Sequence, residues 1–477
     1  MRVILLLCLA GLCLVGVRPE PDLSWQGQRV RWQDCEAGLQ CATIRAPLDP
    51  AALGGQMVEL ALARLPVTEP ARRIGSLVLN FGGPGFSGLE QLPHMRESLA
   101  VLRKSYDIVA YDPRGVGRST GLRCANPMRL HTVDQTPETP QERQRLSATL
   151  ADFAAGCAEG PGGMAPYLGG VEHAHDLDVI RAALGEPRLS YLGWSYGGHL
   201  GAVYSSLFPG QVGRMVLDSP AAMGAETYGF DGVRFSIGGM HQSFTAFADA
   251  CVKERSCPLG KVHLDPDTEL DNLVAPLDTV PLKVPGGRLD DSLALAGVAQ
   301  LLETGDWAEL RTAIRALMKG DGRPLHAAGV AWTGSKEYAP AAATFCTDNP
   351  ARVSTAQIVN DLAAAGEHSF LFGDLVLWTA RRCHGWPERE SWKPSEPLAP
   401  TAPVLVVGTT DDPVTSYEEA EHVAYRAMAD AILLKVQGDD HTAYGTNECA
   451  TKAIDTYLIR ALMPVDPCVW EPEPGSE

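Results

Sequence analysis

The run Gly193-Trp194-Ser195-Tyr196-Gly197 directly ends an apolar stretch, residues 189–194 (LSYLGW), and opens a helical pattern from His199 to Phe208 that Pro209 and Gly210 close. A serine between glycines at a strand-to-helix turn is a way to expose a hydroxyl as a nucleophile, because glycine relieves the crowding of the turn. The motif alone is common in a chain with 48 glycines. Its position between a strand and a helix makes it informative, the alternative being an ordinary turn with a capping serine.

A serine hydroxyl is a weak nucleophile until a base takes its proton, and the base must be oriented by a third group. Behind such a turn the acid and then the histidine should follow on later loops. Asp411 and Asp412 stand immediately after residues 404–410 (VLVVGTT), and His441 lies five residues past Val436 in the loop GDDH. His422 also follows the aspartates, but it belongs to a helical run, SYEEAEHVAYRAM, whose polar face would be solvated. Ser195, one of the two aspartates and His441 are therefore the expected catalytic set.

Acyl transfer also needs donors for an oxyanion, usually main-chain N–H groups. Tyr196 should supply one. The other should come from residues 81–88 (FGGPGFSG), where Gly83 is chosen over Gly82. Residues 83–88 also match the dinucleotide pattern G-x-G-x-x-G, but no acidic residue ends a convincing next strand at the required distance, so that reading is set aside. The chemistry needs no metal and no cofactor.

The elements that must hold these groups are short, nearly continuous apolar runs at residues 76–81, 106–111, 189–194, 215–218, 404–408 and 432–436. Strands buried on both faces look like this, and helical patterns lie between them, so a mostly parallel sheet is expected. Residues 171–184 place Ala174, Leu177, Ile180 and Leu184 at helical spacing and stop at Gly185, ahead of Pro187. The strand series breaks after Asp218 and resumes at Val404. The intervening stretch has helical patterns, including residues 244–252 and 307–318, and returns through the Pro- and Ala-rich SEPLAPTAP.

Composition bounds the partners. With 58 acidic residues against 40 Lys and Arg, the chain carries a formal charge of −18, which disfavours nucleic acid and anionic membranes. Met1 and Arg2 precede an uncharged run over residues 3–17, too short for the roughly 20 residues of a spanning helix but suited to a secretory leader ending at Gly16. Of 12 cysteines, two fall in that leader and ten remain, with no C-x-x-C. Disulfides in an oxidising compartment account for them better than zinc. Cys35 with Cys41 and Cys251 with Cys257 are close enough to pair locally.

The runs CATIRAPLDP, LNFGGPGFSG, YDIVAYDPRGVGRST, GWSYGGHLGAVYSSLFPGQVGRMVLD, FCTDNP, CHGWP and PVLVVGTTDDPVT occur in this order, followed by the segment from Cys449 through IDTYLIRALMP to Cys468. Together they resemble the secreted bacterial tripeptidyl aminopeptidases, relatives of proline iminopeptidase within the α/β-hydrolases. The resemblance implies an α/β-hydrolase fold, with a mostly parallel eight-stranded sheet and an inserted, mainly helical cap. It divides the chain into a leader (1–16), a first core part (17–219), the cap (220–399) and a second core part with the TAP-like C-terminal segment (400–477). It also implies Asp412, the Asp of Asp-Pro, as the acid, and the pairs Cys35/Cys41, Cys124/Cys157, Cys251/Cys257, Cys346/Cys383 and Cys449/Cys468. Three positions depart from the family pattern: Gly198 where threonine is frequent, and Ser219 and Asp440 where glycine is usual.

The expected protein is a secreted or periplasmic, monomeric serine exopeptidase that takes short peptides from free N-termini of peptide substrates. A carboxylesterase using the same triad is the nearest alternative, and a binding protein on a hydrolase fold a more distant one. Recognition of a substrate ammonium requires a carboxylate facing Ser195 from the cap, and Asp348 and Glu226 are the candidates.

Overall fold

In the strands at the centre of the molecule nearly every residue is excluded from water, and alternate side chains enter two different cores. The structure is a computed structural model that describes residues 25–468 apart from 53, 127, 159–162, 223–229, 255–256, 260–265, 335–336, 350–351, 388–397 and 466. The expected leader and Glu226 lie outside the described residues.

The strands are β1 (Gln33–Asp34), β2 (Gln40–Pro47), β3 (Met57–Leu65), β4 (Gly75–Asn80), β5 (Tyr106–Tyr111), β6 (Leu189–Trp194), β7 (Val212–Asp218), β8 (Leu282–Val284), β9 (Gly287–Leu289), β10 (Val404–Thr409) and β11 (Ile432–Val436). Nine form one sheet in the order β1-β2-β3-β5-β4-β6-β7-β10-β11, and β8-β9 form a separate hairpin. The pairs from β5 to β11 are parallel, while β1, β2 and β3 are antiparallel. The sheet thus has one strand more than the eight expected, with the two-residue β1 at its edge.

Period-two alternation builds a three-layer sandwich from these runs. Val78, Val109, Tyr191, Leu217 and Val406 pack with the helices Pro140–Ala158, Gly170–Leu184 and Tyr196–Leu207 on one face. Leu79, Ile108, Leu192, Val216 and Leu405 pack with Leu92, Leu102 and the helix Glu448–Arg460 on the other. The helix 170–184 ends at Gly185, left-handed at φ 80°, whose N–H returns to Arg181 and Ala182 carbonyls. Arg114 crosses the first core with its guanidinium on both oxygens of Asp176 at 2.7 Å and on the carbonyls of Pro47, Leu48 and Tyr167.

Between β7 and β10 the chain leaves the sheet for a mainly helical segment, the one expected to be the cap. Its helices include Phe230–Val252, Asp291–Glu303, Trp307–Leu317, Arg323–Gly334, Tyr338–Asp348, Thr355–His368 and Gly373–Thr379, and the β8-β9 hairpin belongs to it.

The cysteines pair as Cys35–Cys41, Cys124–Cys157, Cys251–Cys257, Cys346–Cys383 and Cys449–Cys468, the five pairs implied by resemblance. Cys346–Cys383 ties the helix Tyr338–Asp348 to the turn after Gly373–Thr379, within the cap. Cys157 lies at 1% exposure in the last turn of the helix Pro140–Ala158, an element outside the helical patterns read from the sequence. Leu146, Leu150, Phe153 and Cys157 form one buried stripe at helical spacing, so Cys157 is a core side chain as well as a bridge. Its partner Cys124 is half-buried in the loop after β5, and the bridge fastens that loop to the helix.

Candidate active site

Parallel strands carry their loops to one edge, and register decides which loops become neighbours. Asn80 of β4 lies beside Gly193 of β6, Trp194 beside Asp218 of β7, and Asp218 beside Val407 of β10. The segments that leave these strands hold Gly82, Gly83, Ser195, Asp412 and, after β11, His441.

Ser195 sits at φ 56° and ψ −120°, a conformation that costs a side-chain-bearing residue about 1–3 kcal/mol. Its N–H bonds to Asp218 O at 2.8 Å, and its carbonyl accepts from Gly198 and His199. The flanking glycines are required by close approach: a Cβ on Gly193 would meet Gly197 O at 2.3 Å, and one on Gly197 would meet Asn80 O at 2.5 Å. The serine does not cap the helix it precedes. It is thus held in a strained elbow bordering the cavity and not in the capping role that was the alternative. No hydrogen bond joins its Oγ to His441, a contact of the kind that tightens only in the substrate complex.

Asp412 is 1% exposed and Asp411 is exposed. The Asp412 Oδ1 accepts the N–H groups of Val414 and Thr415, both at 2.9 Å, and His441 Nδ1 lies 2.9 Å from Oδ1 and 3.0 Å from Oδ2. Asp411 meets Thr410 Oγ1 instead. Burial disfavours the imidazolium of His441, but Asp412, with Glu303 and Asp218 behind it, outweighs burial and raises its pKa above the usual histidine value.

Sequence reasoning passed over Asp218. Its buried carboxylate accepts Ala443 N–H on both oxygens (3.0 and 3.1 Å) and Tyr444 N–H at 2.8 Å, so it holds the loop that carries His441. Burial raises it to about 6. The signal was its place at the carboxyl end of a strand that borders the serine turn.

On the oxyanion side, Gly82 N–H is committed to Asn80 Oδ1 at 2.9 Å, and a Cβ on Gly82 would meet Trp194 O at 2.4 Å. Gly83, at φ 101°, borders the same cavity as Ser195 and Tyr196. Tyr196 opens its helix, where main-chain N–H groups lack a carbonyl one turn back. The dinucleotide pattern at 83–88 leads only into the four-residue helix Gly88–Gln91.

That cavity measures about 460 Å³, in the range of small-ligand sites, with the serine elbow on one side and the cap on the other. Trp332, Tyr338, Phe345 and Trp378 give it aromatic walls, Glu303, Asp348 and Glu419 bring carboxyl groups to it, and Arg382 brings a guanidinium. Glu303, at the end of the cap helix Asp291–Glu303, accepts Trp332 Nε1 on both oxygens at 3.3 Å. Burial raises its pKa, and His441 and Arg382 act in the opposite sense.

Asp348 also borders the cavity, but its oxygens are engaged: one accepts Gly170 N–H at 2.6 Å and the other Tyr196 Oη–H at 3.1 Å. Burial pushes it up to about 7. It fixes the Tyr196 side chain and is a poor ammonium acceptor. Glu303 was missed because nothing local in the sequence distinguishes it from the other cap carboxylates. The three departures from the family pattern leave the His441–Asp412 contact in place. Asp440 points to solvent, and Gly198 packs so closely on Pro220 that a Cβ would meet Pro220 Cβ at 2.7 Å. Ser219 adopts φ 48°, a left-handed conformation that glycine tolerates better.

Residues 368–468 match the TAP-like protein family. The tripeptidyl aminopeptidase of Streptomyces lividans is 30% identical over 461 residues, 90% of this chain and 84% of that protein. A serine protease of Mycobacterium tuberculosis is 29% identical over 93% of this chain and 91% of its own. Carboxylesterase B of Mycobacterium tuberculosis is 29% identical over 93% and 89%. Among solved structures, proline iminopeptidase of Mycobacterium smegmatis covers 87% of this chain at 16% identity and a TM-score of 0.36, too distant to bear on the chemistry. From the match to the Streptomyces enzyme across nine-tenths of its length, the chain belongs to the tripeptidyl aminopeptidase family of α/β-hydrolase-fold serine peptidases.

Proposed function

We propose that this protein is an exported serine exopeptidase that releases short peptides, tripeptides or similar, from free N-termini. Ser195 attacks the scissile carbonyl, and His441 takes its proton and then gives it to the leaving amine. Asp412 holds the imidazole in the tautomer that leaves Nε2 as acceptor and stabilises the imidazolium that forms. The N–H groups of Gly83 and Tyr196 receive the oxyanion, and water then hydrolyses the acyl-enzyme. Asp218 positions the histidine loop and Asp348 the Tyr196 side chain.

The observation that carries the exopeptidase reading is Glu303, a carboxylate on the cap side of the cavity that holds Ser195. A free amino terminus entering an apolar cavity loses hydration, and a facing carboxylate compensates it. An acetylated terminus offers no charge to Glu303. The test is a panel of chromogenic tripeptides with free and acetylated N-termini, together with simple esters, on the wild type and Glu303→Gln. The wild type should favour free amines strongly, and Glu303→Gln should bring the two series together. Equal turnover of free and blocked peptides by the wild type would refute the reading, and if esters were then turned over far faster it would favour the carboxylesterase alternative, for which the relative of that name is the support.

A further inference from the structure

The cavity holds a cation, Arg382, that the proposed mechanism does not use. Arg382 follows the cap helix Gly373–Thr379 and lies on the cavity wall, next to Cys383, whose disulfide to Cys346 fastens that turn to the helix Tyr338–Asp348. The guanidinium is placed by two contacts. Nε donates to Thr379 O at 2.9 Å, and Cζ lies 4.6 Å from the centre of the Phe345 ring. These fix its plane but neutralise nothing. Among the described residues no carboxylate comes within salt-bridge distance of it. Glu303 acts on it only through space, and its own oxygens are turned to Trp332.

An arginine keeps its proton even where burial lowers its pKa, as here. A cation on an aromatic wall without a bonded anion is under-compensated, and its terminal N–H groups form a planar fork that matches a carboxylate. The net charge of −18 makes this choice specific: the protein as a whole repels anionic peptides, so attraction must be local. With Glu303 taking the substrate ammonium, the same small cavity has a complementary place for a negative group a short distance along the substrate.

We propose that Arg382 is a specificity-determining residue that binds an acidic side chain, Asp or Glu, on one of the substrate residues between the free amino terminus and the scissile bond. This rests on the exopeptidase reading above. The carboxylate could also come from the C-terminus of a very short substrate. Chromogenic anilides have no C-terminal carboxylate, so they separate the two sources.

The experiment compares tripeptide anilides that differ only by Glu or Gln at each of the three positions in turn, on the wild type, Arg382→Gln and Arg382→Lys. What is read is the Glu-to-Gln ratio of kcat/KM within each enzyme, so a general loss of activity cancels. A charge-assisted bidentate bond predicts a ratio of roughly tenfold to a hundredfold at one position in the wild type. It should fall to about one in Arg382→Gln and to an intermediate value in Arg382→Lys, which keeps the charge without the fork. The same peptides are titrated calorimetrically into Ser195→Ala protein with and without Arg382→Gln, so the ratio of Kd is obtained whatever the turnover. A wild-type ratio near one at all three positions, or a ratio that survives Arg382→Gln, would overturn the proposal. Free tripeptide amides that lose the preference while free acids keep it would overturn it too, in favour of the terminal carboxylate. If neutral peptides with free amines were still preferred over blocked ones, the exopeptidase reading would stand while this inference fell.

Discussion

Asp412→Asn tests the triad at its most constrained atom. Both main-chain donors, Val414 N–H and Thr415 N–H, converge on Oδ1 at 2.9 Å, so an asparagine must keep its carbonyl oxygen there to avoid opposing N–H groups. Its amide nitrogen then replaces Oδ2, which lies 3.0 Å from His441 Nδ1. That nitrogen can only donate, so it competes for Nδ1 as an acceptor against the retained Oδ1 carbonyl, 2.9 Å away, and draws the imidazole proton toward Nε2. Nε2 can then no longer take the Ser195 proton. The change is nearly isosteric and leaves the backbone bonds in place, so folding should survive. Turnover should fall by about 10⁴, the order found where the same exchange locks the wrong tautomer in a serine protease triad. Asp411→Asn, on an exposed side chain that meets only Thr410 Oγ1, should stay within about threefold of wild type, as expected of a surface change. The assay is kcat/KM on one good chromogenic peptide, with circular dichroism to confirm folding. A loss of less than tenfold for Asp412→Asn, or a larger loss for Asp411→Asn, would refute the reasoning.

Three further outcomes are expected. His441 must be neutral to act as base, and Glu303 is among the carboxylates that raise its pKa, so Glu303→Gln should move the acidic limb of the kcat profile to lower pH; an unmoved limb would separate Glu303 from the triad. Ser219→Gly should stabilise the fold by about 1 kcal/mol, because it relieves a left-handed serine and removes a buried hydroxyl without a partner, less the added entropy of the unfolded glycine, and a lower Tm would contradict this. Replacing Cys346 and Cys383 together by serine should cost roughly 2–4 kcal/mol, read as a lower urea midpoint, with the Glu-to-Gln preference eroding as the Arg382 turn loosens.

The parallel half of the sheet was legible because its inner strands are buried on both faces and its edge strand β11, though exposed at Ile432 and Lys435, is still a mostly apolar run. Residues 106–111, 189–194 and 432–436 coincide with β5, β6 and β11, and the other three runs agree to within a few residues. The antiparallel edge was not legible. β2 is mostly half-buried or exposed up to Arg45, and the buried run of β3, residues 60–63, is only four residues long between Glu59 and Arg64, so pairing partners distant in sequence reveal them. The helical patterns at 244–252 and 307–318 proved to be parts of Phe230–Val252 and Trp307–Leu317. The helix that carries Cys157 escaped because its first turns, PQERQR, are polar and its apolar stripe begins only at Leu146.

At the candidate site, Ser195, Asp412 and His441 could be proposed from sequence because their order and their places after strands are constrained by the sheet. Even there, Asp412 over Asp411 rested on resemblance; the structure distinguishes them by burial and by the two N–H groups that reach only Asp412. Cap residues escaped. Asp348 was chosen for its neighbouring cysteine, and its carboxylate is engaged by Gly170 and Tyr196. Glu303 and Arg382 come from helices 79 residues apart in sequence, and only tertiary packing brings them into one cavity with the serine. No periodicity or spacing encodes that meeting.

The most direct measurement is of the products. A peptide of about ten residues, offered with a free and with an acetylated N-terminus, is incubated with the enzyme and with Ser195→Ala, and the fragments are identified by mass spectrometry over time. The account predicts that the wild type removes two- or three-residue pieces in succession from the free amino end, leaves the acetylated peptide nearly intact, and that Ser195→Ala releases nothing. Internal cleavage of both peptides at comparable rates, or undiminished release by Ser195→Ala, would contradict it.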